Sequence, residues 1–376
     1  MSVVLVISNL EYGGAQRQVV EIANELPKRG FIVHVCSLSR YVPLAPHLHG
    51  RAQRLHIIPK RWTFDISIVP RVAAFLRRVQ ADVVHGFLFD ANVTVRLAGF
   101  LARTPLVIDS ERNSNYRLEH RHRLAYAMTN GMRHLCVANS QAGAEFNSRL
   151  TGMPIDRYRI VYNGVDVERF RPRDRASTRR SLALSDDEYV VGMFASFKPQ
   201  KNHQMAFRAF AQLALRVPRA RLLIVGDELA DGLDSGQYKR AMLELVDQLG
   251  IHERCLVLGN RTDIETLYPA CNVVILPSLR EGTPNVVLEA MACGVPVVVT
   301  DVADNTHVIP SGRAGHIVAL GDVGGLAATL AGMAANPEDT ARMGAFARHW
   351  VATEFSREKM TARLADIYRS NWQSQS

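Results

Sequence analysis

The sequence predicts an α/β protein of two doubly wound, Rossmann-like domains, and three observations carry that expectation. Short runs rich in Val, Ile and Leu alternate with amphipathic segments along the chain, the pattern of βαβ units around parallel sheets. These runs fall into two series separated by an arginine-rich stretch. The length, 376 residues, suits two domains of roughly 100–200 residues, each with its own core. Two such domains allow a cleft between them, and parallel sheets bind ligands at the carboxyl ends of their strands, so the loops after strands should carry the chemistry.

In the first series the predicted strands are Val3–Ser8, Ile32–Ser37, Asp82–His85, Leu106–Asp109, Leu135–Ala138 and Arg159–Tyr162. Between the first two, Ala15–Arg29 sets Val19, Ile22, Ala23 and Leu26 on one helical face, and Gly30 stops it. The stretch Asn163–Arg180 holds an Asn-Gly pair, Pro172 and six arginines (Arg169, Arg171, Arg173, Arg175, Arg179, Arg180). Such a stretch buries poorly and reads as the interdomain linker. The second series runs through Tyr189–Phe194, Arg221–Val225, Cys255–Leu258, Val273–Leu276, Pro296–Thr300 and Ala314–Val318, and two helices, Pro337–Phe355 and Arg357–Trp372, close the chain. The expected domains are 1–170 and 171–355, with 356–376 a terminal helix packing back towards the first.

Composition excludes several classes. With 47% hydrophobic and 22% charged residues, 25 Gly and 16 Pro, the chain is neither disordered nor collagenous. Cys36, Cys136, Cys255, Cys271 and Cys293 are scattered without a CxxC pair or zinc spacing, which suits buried thiols kept reduced in a cytosol. No apolar run approaches the roughly 20 residues that span a bilayer, and the chain starts on a strand rather than a charged leader. A cytoplasmic protein, at most peripheral on the inner face of the membrane, is expected.

The net charge of +9 is unevenly spread: residues 1–170 hold 22 Lys and Arg against 13 Asp and Glu, while the remainder holds 23 of each sign. The first half is therefore expected to meet something anionic. Residues 112–133 mix Arg112, Arg117, Arg121, Arg123 and Arg133 with Tyr116, Leu118, Leu124, Tyr126 and Met128, against a single Glu119. That mixture suits an amphipathic segment on anionic lipid, which Pro70–Gln80, with Arg71, Arg77 and Arg78 beside Val72, Phe75 and Leu76, would extend. A core-facing helix with a basic outer face explains either segment as well. Nucleic acid is disfavoured, because the aromatics that stack bases are not interleaved with the basic residues.

The stretch richest in chemistry is Val273–Asp301. A strand ends at Pro277, a polar loop holds Glu281, Gly282 and Thr283, and Pro284-Asn285 opens a helix that stops at Gly294. The amides around Gly282–Val286, with the helix dipole, make an anion site. Glu281 in the loop and Glu289 one turn inside the helix can face one ligand, and beside a phosphate site a carboxylate pair suits the hydroxyls of a sugar and a ribose. Taken alone, the pair reads equally as a helix cap and a solvated face residue. Gly13-Gly14, between the first strand and helix, lets backbone amides approach a phosphate, although no GxGxxG follows. His85 in DVVHGF ends a strand, as a cleft group or a structural histidine.

The loop and helix EGTPNVVLEAMACGVPVV, two glutamates separated by seven residues, closely resemble the signature of the retaining glycosyltransferases of the GT-B fold, called glycosyltransferase group 1. The resemblance extends in order over nearly the whole chain: EYGGAQRQVVEIANELPKRG after the first strand, NGVDVERFRP at the domain junction, FKPQKNHQMAFRAF, LLIVGDE, and the Gly259-Asn260-Arg261 loop. It implies two Rossmann-like domains facing across a cleft, acceptor side first and nucleotide-sugar side second. It further implies that Glu281 bonds hydroxyls of the donor sugar, helped by backbone amides that follow it in Gly282-Thr283 and, past Pro284, at Asn285, that Glu289 grips the ribose, and that Lys201 neutralises the donor diphosphate. Gly226-Asp227 and Arg261 would frame the base, and His85 would stand in the cleft as a catalytic group. Three places depart from the family pattern. Ser196 replaces an arginine beside the diphosphate lysine, so that Lys198 or another residue shares its role. Asp109-Ser110-Glu111-Arg112-Asn113 stands where a histidine is frequent, and Ala303-Asp304 with His307 replaces a Gly-Gly turn and glutamate.

The implied reaction moves a sugar from a nucleotide diphosphate donor, UDP-linked, to a lipid-linked or membrane-proximal glycan acceptor, with retention. No D-x-D triplet occurs, which argues against a metal clamp, and no cofactor beyond the donor is expected. A nucleotide-sugar epimerase of the same architecture is the alternative, and an NAD-linked oxidoreductase is disfavoured by the missing glycine fingerprint.

Overall fold

The computed structural model describes residues 1–50, 54–62, 65–112, 120–228 and 236–373. The chain divides into two compact units, Met1–Gly164 with Arg357–Ser376, and Val165–Ser356.

The first unit comprises β1 (Ser2–Ile7), α1 (Gly14–Glu25), β2 (Ile32–Ser37), β3 (Leu55–Ile57), α2 (Ile68–Arg78), β4 (Val83–Phe87), α3 (Phe89–Ala102), β5 (Leu106–Glu111), α4 (His120–Thr129), β6 (Leu135–Ala138), α5 (Gln141–Thr151) and β7 (Tyr158–Ile160). Its sheet is parallel, in the order β3-β2-β1-β4-β5-β6-β7, so the strand order reverses between β1 and β4. Both faces are covered, which is why β1 reads as an unbroken apolar run: Val3, Leu5 and Ile7 pack with Val19, Ile22 and Ala23 of α1, whereas Val4 and Val6 pack with Val72 and Leu76 of α2. Pro27 ends α1 early, and a 3-10 turn over Leu26–Arg29 carries the chain to Gly30 at φ 83°.

Several expectations need correcting here. β4 runs on to Phe87, which places His85 inside the strand, and β5 runs on to Glu111. Val72, Phe75 and Leu76 are core residues, so of the expected lipid-facing side chains of Pro70–Gln80 only Arg77 and Arg78 are exposed, with Arg71 half-buried. Arg133 and Tyr126 are also interior. The Asp109 Oδ2 atom accepts from Arg96 Nε at 2.8 Å and from Arg133 Nη1 at 2.6 Å, and the Arg96 guanidinium lies 4.3 Å from the Tyr126 ring centroid. Glu111 completes the cluster, its Oε1 3.5 Å from Arg133 Nη1, and burial raises its carboxyl pKa. Asn113, Tyr116, Arg117, Leu118 and Glu119 lie outside the described residues.

The second unit comprises α6 (Arg175–Ser181), β8 (Tyr189–Phe194), α7 (His203–Arg216), β9 (Ala220–Val225), α8 (Gln237–Gln248), β10 (Cys255–Val257), α9 (Ile264–Leu267), β11 (Val273–Leu276), α10 (Asn285–Ala292), β12 (Val297–Thr300), α11 (Asn305–Val308), β13 (Gly315–Val318), α12 (Val323–Ala335) and α13 (Pro337–Glu354). Its parallel sheet has the order β10-β9-β8-β11-β12-β13. The arginine-rich stretch is part of this unit rather than a solvated linker. Val165 and Phe170 are buried, Val165 bridges Ser356, and Arg179 is 1% exposed. Its guanidinium donates to the carbonyls of Ala270, Ser185 and Asp186 and to Asn272 Oδ1, at 2.7–3.1 Å. With four of its five donors partnered in this way, an arginine can sit inside without an acidic neighbour.

The last helix, α14 (Arg357–Gln373), belongs to the first unit. Met360, Leu364, Ala365 and Tyr368 enter its core, and Arg29 Nη2 donates to the Glu358 carbonyl at 2.6 Å. The five cysteines are free thiols, and burial pushes Cys36 and Cys271 up to about 12.

Candidate active site

In the second unit the loops after β8, β9 and β10 converge. The Phe197 amide donates to the Asp227 carbonyl at 3.2 Å and the Gly226 amide to the Gly259 carbonyl at 2.8 Å. Gly226 has φ 143°, and a Cβ there would lie 2.2 Å from the Ala195 carbonyl oxygen. Only glycine lets these two loops come so close. Past Lys198, a 3-10 turn over Pro199–Lys201 leads into α7, and the Lys201 amide donates back to the Lys198 carbonyl at 2.9 Å.

That turn is stitched to the loop after β11. The Leu279 amide donates to the Gln200 carbonyl at 2.8 Å, and Gln200 Nε2 to the Arg280 carbonyl at 2.9 Å. The stitching brings Lys201 and Glu281, 80 positions apart, into an ion pair with Nζ 2.6 Å from Oε1. The same oxygen accepts the Ser278 hydroxyl at 2.7 Å. Ser278 is itself fully buried and held from behind: Thr300 Oγ1 donates to its carbonyl at 2.6 Å, and Asn305 Nδ2 to the Thr300 carbonyl at 2.9 Å. Glu281 thus has one oxygen clamped by two donors, in a loop fixed from three directions.

Glu289 lies in α10, 4% exposed, and its Oε2 accepts the Tyr268 hydroxyl at 2.7 Å. The Tyr268 ring is fully buried and stacked on Phe194, with centroids 3.9 Å apart. Sequence reasoning missed both hydroxyl donors. Ser278 could have been found from its place in the Glu281 loop. Tyr268, in a turn ahead of β11, left no signal.

The remaining expected residues divide. Gly282, Thr283 and Pro284 are buried in the turn that opens α10 at Asn285, with Pro284 just ahead of the helix and its carbonyl accepting from the Val287 amide at 3.2 Å. Ser196 and Lys198, in the loop after β8, are partly exposed. Arg261 is exposed and held bidentate by Asp263, at 2.8 and 2.7 Å, which engages the fork expected to frame the base.

In the first unit, Gly13 precedes α1 at an ordinary φ of −115°, and Gly14 is its first residue. The Gly13 amide, expected to meet a phosphate, instead donates to the Glu11 carbonyl at 2.8 Å. The glycine leaves room for the Gln16 side chain, whose Oε1 would stand 2.2 Å from a Cβ at that position. His85, expected as a catalytic group, is a fully buried residue on β4. Its Nδ1 lies 2.7 Å from the Tyr368 hydroxyl and its ring stacks on Phe87 at 4.3 Å. Burial first, then the charge of Arg112, keeps its pKa well below the usual histidine value. A neutral imidazole so enclosed anchors α14 and handles no proton at a reacting atom.

Residues 12–169 match the family described as Glycosyltransferase Family 4, and residues 174–350 that described as Glycosyl transferases group 1. The D-inositol 3-phosphate glycosyltransferase of Saccharomonospora viridis is 34% identical over 239 residues, 62% of this chain and 54% of that protein. Its Mycobacterium bovis counterpart is 34% identical over 238 residues, 62% and 48% of the two chains. This chain therefore spans about half the length of the curated relatives it matches. Among solved structures, Anabaena HepE in complex with UDP superposes with a TM-score of 0.86 at 22% identity, over 98% of this chain and 100% of that one. Sucrose-phosphate synthase of Thermosynechococcus elongatus gives 0.81 at 18% identity over 100% of both. Two parallel sheets of Rossmann type, with the two matching halves in this order, define the GT-B fold. The chain belongs to the group 1 glycosyltransferases.

Proposed function

We propose that the chain transfers a hexose from a UDP-sugar to a lipid-linked or membrane-proximal acceptor, with retention and without a metal. The observation that carries this reading is the Lys201–Glu281 pair, a cation and a hydroxyl-binding carboxylate held together at the opening of α10. Complexes of HepE with UDP and with UDP-glucose support the choice of donor class. Departure of the diphosphate is the demanding step, since negative charge develops on it as the sugar becomes oxocarbenium-like. Lys201 and the amides that open α10 are fixed dipoles for that charge. The acceptor oxygen bonds to the anomeric carbon on the face the diphosphate leaves, the old carbon–oxygen bond breaks, and the acceptor proton passes to the departing phosphate oxygen. Glu289 holds the ribose and Glu281 the sugar hydroxyls.

Incubation with UDP-glucose or UDP-galactose, each with a bacterial lipid extract or inositol 3-phosphate, tests this. Acceptor-dependent release of UDP, an α-linked product by NMR and indifference to EDTA are expected. Conversion of the donor to another UDP-sugar without acceptor would point to an epimerase, and abolition by EDTA would refute the metal-free mechanism.

The acceptor side rests on α4. Leu124 and Met128 are 61% and 71% exposed, with Arg121 and Arg123 exposed beside them. Apolar side chains flanked by arginines suit an anionic lipid surface. No helix among the described residues is long and apolar enough to cross a membrane. Co-sedimentation should require anionic vesicles, weaken in high salt and drop when Arg121 and Arg123 become Glu. Equal recovery with neutral vesicles would refute the patch.

A further inference from the structure

Among the described residues of the first unit, Arg112 is a cation that its surroundings do not balance. Arg96 and Arg133 share Asp109, but Arg112, directly after the carboxyl end of β5, has no carboxylate partner among the described residues. Its Nη1 donates to Asn163 Oδ1 at 3.3 Å, and its guanidinium stands 5.5 Å from the centroid of Phe87. The Nε is closed to solvent and has no partner, and the same is true of the Nε2 of His85, which stacks on that same Phe87. Burial pulls the Arg112 pKa down to about 10, a mark of how costly the charge is there. Buried charges are normally paired, because leaving water without compensation costs several kcal/mol. A cation without a carboxylate among the described residues, at the carboxyl edge of a parallel sheet where such sheets bind ligands, is arranged for an anion that comes from outside.

We propose that Arg112, steadied by Asn163 and the face of Phe87, is an oxyanion-binding residue that takes a phosphate group in the first unit. A planar fork is the donor geometry that pairs with phosphate oxygens two at a time, and the neutral His85 beside it adds no competing charge. The argument from charge stands alone; the two sources of the phosphate, the donor's diphosphate or a phosphorylated acceptor, rest on the glycosyltransfer reading.

Calorimetric titration of the full chain with inorganic phosphate, UDP and inositol 3-phosphate, in wild type and Arg112→Gln, tests the site. At least one affinity should fall about tenfold or more in the variant, as for loss of a charge-assisted contact. Loss for UDP identifies the donor, loss for inositol 3-phosphate with UDP unchanged identifies the acceptor, and loss for inorganic phosphate alone still establishes the oxyanion site. Unchanged affinity for all three in a folded Arg112→Gln protein, or no binding of any by wild type, overturns the proposal. Should that variant fail to fold, Arg112→Lys keeps the charge but not the fork. A several-fold loss is expected of it, and full wild-type affinities would count against the site. Normal UDP binding with an indifferent Arg112 sinks only this inference, whereas phosphate binding that needs Arg112 in a chain blind to UDP sinks the glycosyltransfer reading instead.

Discussion

Glu281→Ala is expected to lower turnover by about a hundredfold or more while the protein stays folded. The substitution removes the shared acceptor of Lys201 Nζ and Ser278 Oγ. Lys201 keeps a side chain 20% exposed and can turn to water, so no charge is stranded. Ser278, fully buried, loses its acceptor, which costs on the order of 1–3 kcal/mol, too little to unfold a domain of ordinary stability. Turnover therefore falls because the oxygen that would receive the sugar hydroxyls is gone and the lysine is no longer aimed. Circular dichroism and thermal melting establish the fold, and steady-state UDP release measures the loss. Wild-type turnover in a folded variant would remove Glu281 from the site.

Asp109→Ala should do the reverse, harming stability far from any bond being broken. Arg96, Asp109 and Arg133 are all fully buried, and both guanidinium groups bond the same carboxylate oxygen. Truncating the acid strands two cations, with Glu111 3.5 Å from only one of them. Breaking a buried pair from one side typically costs about 3–5 kcal/mol. The urea midpoint of the first unit should fall by a corresponding amount at unchanged slope, and a loss below about 1 kcal/mol would show that the cluster relaxes or takes in water.

The sheets were legible because their strands are covered on both faces, so unbroken Val and Ile runs such as Val3–Ser8 and Tyr189–Phe194 have no competing explanation. β3 escaped because it has three residues with His56 at its centre and no strand-like composition. The signature helix and its glutamates were visible through the ordered set of motifs around them, not through their spacing alone. Lys201 was visible through the resemblance, but its pairing with Glu281 and the Tyr268 bond to Glu289 were not legible, since they depend on loops held by backbone bonds such as Leu279 to Gln200 and on residues distant in sequence. Arginine misled most. Arg133 and Arg179 looked like surface and are interior, because a guanidinium is tolerated inside wherever carbonyls or a carboxylate satisfy its donors, and that depends on residues distant in sequence. His85 erred in the opposite direction: two further residues of strand turn an edge position into a core one.

The seat of α14 has a consequence for how the molecule is made. Residues 1–164 leave the ribosome ahead of the second unit, yet the hydroxyl that meets His85 and the side chains of Leu364 and Tyr368 that fill the same core come from α14, which follows that unit. The second unit is a single continuous stretch and can close as soon as Ser356 has emerged. The unit that is begun before the other is therefore completed after it, and until α14 emerges it carries an open slot along α1.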